Sequence, residues 1–211
     1  MEAVSETRSD RKRKTLQAAT EVFLDKGYDC TSMDDVAAKA AVSKPTLYKY
    51  FSDKERLFAE IVRATTFEVD DLVRLVAESM AGNTTIESSL IVVAHRFIGV
   101  LMQPRILRLR RLVVANAERF PDVGRSWYEQ GFERVLATLA ISFQGLADRK
   151  LLHVNDALLA ANHFVGILMW IPINKAMFKG NNSSSPEELE RYAVAGVRAF
   201  LSGYGPASRS N

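Results

Sequence analysis

Helix start and stop signals follow one another through this chain, and the apolar residues between them recur at three- and four-residue spacing. The hairpin dipeptides Asn-Gly, Asp-Gly and Gly-Gly are absent, and no stretch sustains an apolar–polar alternation. That combination predicts an all-α fold of about nine helices. The first covers residues 10–26, with Leu16, Ala19, Val22 and Phe23 inward and Gly27 as its stop. Thr31 or Ser32 caps a short second helix, 33–40, whose Asp34 and Asp35 suit its positive end. Ser43 caps the third, with Pro45 in the first turn, where a missing N–H does no harm. Ser52-Asp-Lys-Glu55 reads as a capping box opening a fourth helix that runs to about Met80. Five more follow at about 84–102, 104–119, 122–148, 155–178 and 186–203, with a kink expected at Pro172.

At 211 residues, 47% of them apolar, the chain can bury a sizeable core. The single cysteine, Cys30, excludes an intrachain disulfide and fits a reducing, cytoplasmic setting. The opening MEAVSETRSD has no apolar run after its charges and does not read as a signal peptide. Residues 157–174, ALLAANHFVGILMWIPIN, have the length of a membrane span but carry Asn162, His163, Pro172 and Asn174. Those polar groups are costly in lipid, so the segment reads as a core helix and no membrane partner is expected. GxGxxG, GxxxxGK[ST], HExxH, CxxC and GxSxG are missing, and His95, His153 and His163 show no metal or triad spacing. Catalytic residues, metal and cofactor are therefore all expected to be none.

The first three helices form a unit of short elements, and the remainder is longer and more apolar. The division falls near residue 52, inside the fourth helix. It separates a small domain, 1–52 and ordered from about residue 10, from a larger domain, 53–211. Two short helices joined by Ala40-Ala41-Val42-Ser43 fit a helix-turn-helix, whose second helix enters the major groove. Val36, Ala37 and Ala40 are inward on the first helix, Val42 in the turn, and Leu47 and Tyr50 on the second. From Val36 to Ser52 there is no Asp or Glu, which is what a helix approaching a wall of phosphate charge requires. Lys44, Thr46, Tyr48 and Lys49 can donate to phosphates or base edges, and Pro45 with the Thr46 methyl can meet a thymine methyl. Lys54 is placed for a phosphate, and Thr31 and Ser32 lie at another helix start, where free N–H groups favour anions. The cations concentrate at 8–14 and 39–54, and the acids at Glu21, Asp25, Asp29, Asp34 and Asp35, as on a domain with one DNA-facing side.

The segment TSMDDVAAKAAVSKPTLYKYFSDKERLF resembles the DNA-binding region of the TetR/AcrR family of bacterial transcriptional regulators, and the match extends over about residues 10–60. The resemblance implies DNA contacts at Thr31 or Ser32, Lys44, Pro45, Thr46, Tyr48, Lys49 and Lys54. Ala41 departs from the Gly usual in this turn, at a cost of about 1 kcal/mol if the residue is left-handed. Residues 109–140, LRRLVVANAERFPDVGRSWYEQGFERVLATLA, are similar to the C-terminal domain of the AefR-like regulators. That implies an all-helical domain and a homodimer formed by the last two helices.

The residues themselves agree with a dimer. Ala161, Gly196 and Ala199 belong to a set of small residues that let the last two helices approach closely, and Tyr192 and Phe200 supply apolar contacts. The same residues could instead pack within one chain. A small, mostly apolar effector is expected against His163, Ile167, Trp170 and Asn174 on one helical stripe, with Trp127, Tyr128, Phe132 and His95 facing it. Such a stripe could equally be core. Arg105, Arg108, Arg110 and Arg111 either pair with acids such as Asp25 or Asp29 or are solvated. The reading as a whole is a dimeric, effector-released repressor bound to a palindromic double-stranded DNA operator. The rival readings are a helical enzyme and a protein-interaction bundle that binds no DNA.

Overall fold

The computed structural model describes residues 8–66, 85–180 and 183–206. Its helices are α1 (Arg8–Lys26), α2 (Met33–Lys39), α3 (Lys44–Tyr50), α4 (Lys54–Thr66), α5 (Ile86–Leu101), α6 (Pro104–Asn116), α7 (Pro121–Trp127), α8 (Arg134–Asp148), α9 (Ala157–Lys179) and α10 (Pro186–Tyr204). A π-helical turn, Tyr128–Glu133, stands between α7 and α8, so residues 122–148 are helical throughout, as expected. No strand occurs among the described residues. The expected run of the fourth helix to Met80 lies outside them beyond Thr66.

Local chemistry sets the helix starts, with two adjustments. The fourth helix begins at Lys54, so Asp53 is its cap, and the Asp53 carboxylate accepts from the Arg56 N–H at 2.7 Å. The Ser52 hydroxyl donates to that same carboxylate at 2.8 Å, so the expected Ser52–Glu55 box is not the one formed. Likewise α9 is capped by Asp156, whose carboxylate accepts from the Leu159 N–H at 2.9 Å, so the helix expected from about residue 155 begins at Ala157. The α10 box is complete, with the Glu188 N–H on the Ser185 hydroxyl at 3.2 Å and the Ser185 N–H on the Glu188 carboxylate at 3.1 Å. Helix α9 continues through Pro172, without the break that a proline can impose.

The chain packs as two compact units. Of the described residues, one unit joins 8–66 with 108–127, and the other joins 85–107 with those from 128 to 206. A division of roles at residue 52 is thus not the division of packing. The first core holds Phe23, Leu47, Leu57, Phe58 and Ile61 together with Leu109, Val113, Phe120 and Val123. The rings of Phe23 and Phe58 stack at 5.7 Å, and Tyr28 lies 4.7 Å from Phe120. Short helices of some fifty residues bury too little surface alone, and the later segment supplies the missing face.

The second core is built from α5, α8, α9 and α10, around Phe143, Phe164 and Phe200. Their rings meet at 5.1–5.6 Å, edge-on or tilted. Helix α9 is long and apolar enough to cross a membrane, but Ala160, Ala161, Phe164, Leu168, Met169, Pro172 and Ala176 are buried in this core. At Gly196 a Cβ would stand 2.8 Å from Leu168 Cδ2, so the missing side chain is what lets α10 approach α9.

Candidate nucleic-acid interface

The first unit presents two short helices whose ends are fixed by hydrogen bonds between residues three to five apart. On α2, the Ser32 hydroxyl accepts from the Asp35 N–H at 3.1 Å, and the Asp35 carboxylate accepts from the Ser32 N–H at 3.0 Å. Lys26 donates to the other Asp35 oxygen at 2.7 Å, and that bond, with those from Ser32, holds the carboxyl at about 2. The turn then closes as a Schellman motif. The Val42 N–H reaches the Ala37 carbonyl at 3.1 Å and the Ala41 N–H the Ala38 carbonyl at 3.2 Å, with Ala41 at φ 52°. Ala41 therefore occupies the left-handed position in which glycine is usual.

Helix α3 starts at Ser43, whose hydroxyl accepts from the Thr46 N–H at 3.3 Å and shares a 2.8 Å hydrogen bond with the Thr46 hydroxyl. Leu47 is fully buried and anchors the helix against α2, where Val36 and Ala37 are buried in turn. The opposite side carries Lys44, Pro45, Tyr48 and Lys49, all exposed, with Thr46 half-buried beside them. Tyr48 is 50% exposed, which for an aromatic ring means an uncovered face.

Two residues expected on this face have other occupations. Thr31 is buried, and its hydroxyl donates to the Gly27 carbonyl at 2.7 Å. Lys54 donates to the carbonyls of Tyr28 and Thr31, both at 2.9 Å, and lies 4.4 Å over the Tyr28 ring. Its ammonium satisfies carbonyls that the turn after α1 leaves without helical partners. Nor are cations and acids fully segregated. Lys44 pairs with Asp34 at 2.7 Å and Lys39 with Glu21 at 2.9 Å, and each hydrogen bond raises the lysine above its ordinary pKa. Spacing gave no sign of these pairings, which join one helix to another. Elsewhere in this unit Arg108 meets Asp25 at 3.2 Å, and Arg119, which the sequence did not single out, meets Asp29 at 2.7 Å.

The residues expected around an effector are divided between the units, with Trp127 in the first and the others in the second. Trp127 packs at the edge of the first core. Tyr128 is exposed and stacks on Phe132 at 6.0 Å in the π-helical turn. His95 Nε2 lies 2.9 Å from a Glu190 carboxylate oxygen without hydrogen-bond alignment. Asn174 donates back to the Trp170 carbonyl at 2.7 Å, while Trp170 itself is 73% exposed. His163 and Ile167 line an open groove of about 420 Å³ between α9 and α10, together with Ala199, Phe200, Gly203 and Tyr204. There His163 Nδ1 and the Tyr204 hydroxyl share a 2.6 Å hydrogen bond. Of the expected dimer residues, Ala161, Gly196 and Phe200 are buried within the chain, Tyr192 is half-buried, and Ala199 is exposed.

Comparison with known proteins agrees with this geometry. Residues 88–206 match the model of the AefR-like transcriptional repressor C-terminal domain, and residues 16–61 that of the tetR family of bacterial regulatory proteins. The chain belongs to the TetR family of helix-turn-helix transcriptional regulators, with an AefR-like C-terminal domain. A solved TetR-family regulator from Mesorhizobium loti MAFF303099 is 49% identical, with a TM-score of 0.90 over 95% of this chain and 100% of that one. The flavonoid-responsive regulator FrrA is 26% identical, with a TM-score of 0.71 over 95% of this chain and 100% of its own. The transcriptional activator FasR of Mycolicibacterium smegmatis is 40% identical over 77 residues, 36% of this chain and 34% of FasR. The chain thus matches only about a third of the length of that curated relative.

Proposed function

We propose that the protein is a homodimeric repressor that reads a palindromic operator with α3 and is released from it by a small, mostly apolar effector. The observation that carries this is the outer side of α3. Lys44, Pro45, Tyr48 and Lys49 stand exposed on a capped helix without a carboxylate, while Leu47 fixes its inner side. Lys44, Thr46, Tyr48 and Lys49 supply donors and Pro45 an apolar contact. Ser32 adds a helix start, with its hydroxyl already used as the cap. Thr31 and Lys54 are positioning residues in this reading, since their polar atoms hold the turn between α1 and α2. Repression follows the AefR-like description of the C-terminal domain, and FasR, an activator, shows that relatives of this helix-turn-helix serve both signs of control.

The dimer surface is the exposed apolar side of α9, with Leu159, Ile167, Trp170, Ile171 and Phe178, continued by Ala199 and Gly203 of α10. A run of large uncovered apolar side chains marks a protein contact. Two-fold pairing doubles the short sequence one α3 can read and places half-sites about 34 Å apart. The effector acts by binding better to a state with a different half-site spacing. The protein carries out no catalysis and works in the cytoplasm, on DNA.

The test is selection from fragmented genomic DNA by the purified protein, with Tyr48→Ala as the comparison. Enrichment of a few palindromic sites by the wild type, with base preference relaxed in the variant, is the expected result. A well-folded dimer that enriches nothing at any salt concentration contradicts the reading.

A further inference from the structure

An open groove of about 370 Å³ lies between the first turn of α1 and the end of α3, lined by Arg8, Ser9, Lys12, Lys49 and Tyr50. Three of the five are cations, two are hydroxyl donors, and none is a carboxylate. Asp10, in the same turn, is drawn toward Arg13 at 3.5 Å. Glu60 stands 3.8 Å from the Lys12 ammonium, and both its oxygens accept from Arg63, at 2.9 and 2.8 Å. The Lys12 ammonium also lies 5.4 Å over the Phe51 ring, which helps to place it. With three cations and no acid in its lining among the described residues, this concave site is complementary to a compact anion.

We infer that this groove seats a backbone phosphate of the DNA duplex beside the base pairs that α3 reads. The inference rests on the proposal that α3 faces DNA. The duplex is the source of the phosphate because the groove shares Lys49 and Tyr50 with α3 itself, so the helix that meets the bases forms one wall of the seat. Phosphate contacts of this kind fix register and add affinity without reading sequence. Lys49 is then an anchoring residue, and the reading of bases falls to Pro45, Thr46 and Tyr48.

The experiment titrates the full-length protein against a mixed-sequence duplex and against its selected operator, over a range of salt concentrations. Arg8→Ala/Lys12→Gln should weaken both several-fold and flatten the slope of log K against log salt by about 0.9, the value for one phosphate. Base preference should stay as in the wild type. Lys12→Gln removes the charge but keeps a polar side chain of similar reach, and an unchanged melting temperature certifies the fold. Arg149→Ala/Lys179→Ala, removing two exposed cations of the other unit, controls for bulk charge. Equal weakening by that pair overturns the inference. So does a groove variant that binds like the wild type while Tyr48→Ala still relaxes base preference. A wild-type protein that binds no duplex defeats the α3 reading itself, and the groove with it.

Discussion

At the scale of single residues, Ala41 and Asp35 set the two ends of α2 in opposite ways. Ala41 sits at φ 52°, where a Cβ crowds the following carbonyl. Ala41→Gly should therefore stabilise the protein by up to about 1 kcal/mol, read as a higher urea midpoint at unchanged m. Asp35 is hydrogen-bonded by Lys26 and Ser32, which depress its carboxyl from 3.8 to about 2. The fold thus prefers the ionised form. Its contribution is complete above about pH 4 and fades as the pH falls through about 2. Thermal melts across that window should show a shallower acid-side loss for Asp35→Asn than for the wild type. Identical acid limbs would show that the pairing is not formed in solution.

Among the elements, α3 is held by a single buried side chain. Leu47 is its one buried residue, fully covered by the first core. Leu47→Ala should cost about 2–5 kcal/mol and weaken DNA binding beyond what the lost stability explains, because the helix loses its fixed docking. Denaturant unfolding and duplex titration at a temperature where the variant stays folded separate the two effects. In the second unit, the contact between α9 and α10 depends on Gly196 having no side chain. Gly196→Val should destabilise by about 1–3 kcal/mol, since Leu168 and Ile167 must leave their positions. A calorimetric melt tests this. The capping boxes show how finely a start can be read. Ser185 and Glu188 form a complete box, whereas at α4 Asp53 takes the cap in place of the expected Ser52.

For the whole molecule, Trp170 at 73% and Phe178 at 85% exposure are the features a monomer does not explain. Ile167→Glu/Trp170→Glu should give a monomer by light scattering with unchanged helical circular dichroism. Such a variant should lose more affinity for a palindrome than for a half-site. A dimer that survives both charges would place the interface elsewhere. The aromatic and apolar stripe on α9 was legible from its helical spacing, but spacing alone could not separate a ligand wall from an interface. That distinction depends on which helices cover which side.

The sequence by itself determined the all-helical class, the helix-turn-helix and the acid-free α3, because caps, turns and apolar periods act between residues at most about four apart. Folding decided what distant residues do. Lys54 finds the carbonyls of Tyr28 and Thr31, Arg108 finds Asp25, and His163 finds Tyr204, across 26, 23, 83 and 41 positions. No local pattern encodes such pairs, since each forms only when packed cores bring its helices side by side. The same holds for the groove shared by Arg8, Lys12 and Lys49. Its cations were visible as charge in the sequence, and only the packing of α1 and α3 in one unit gathers them around a common space.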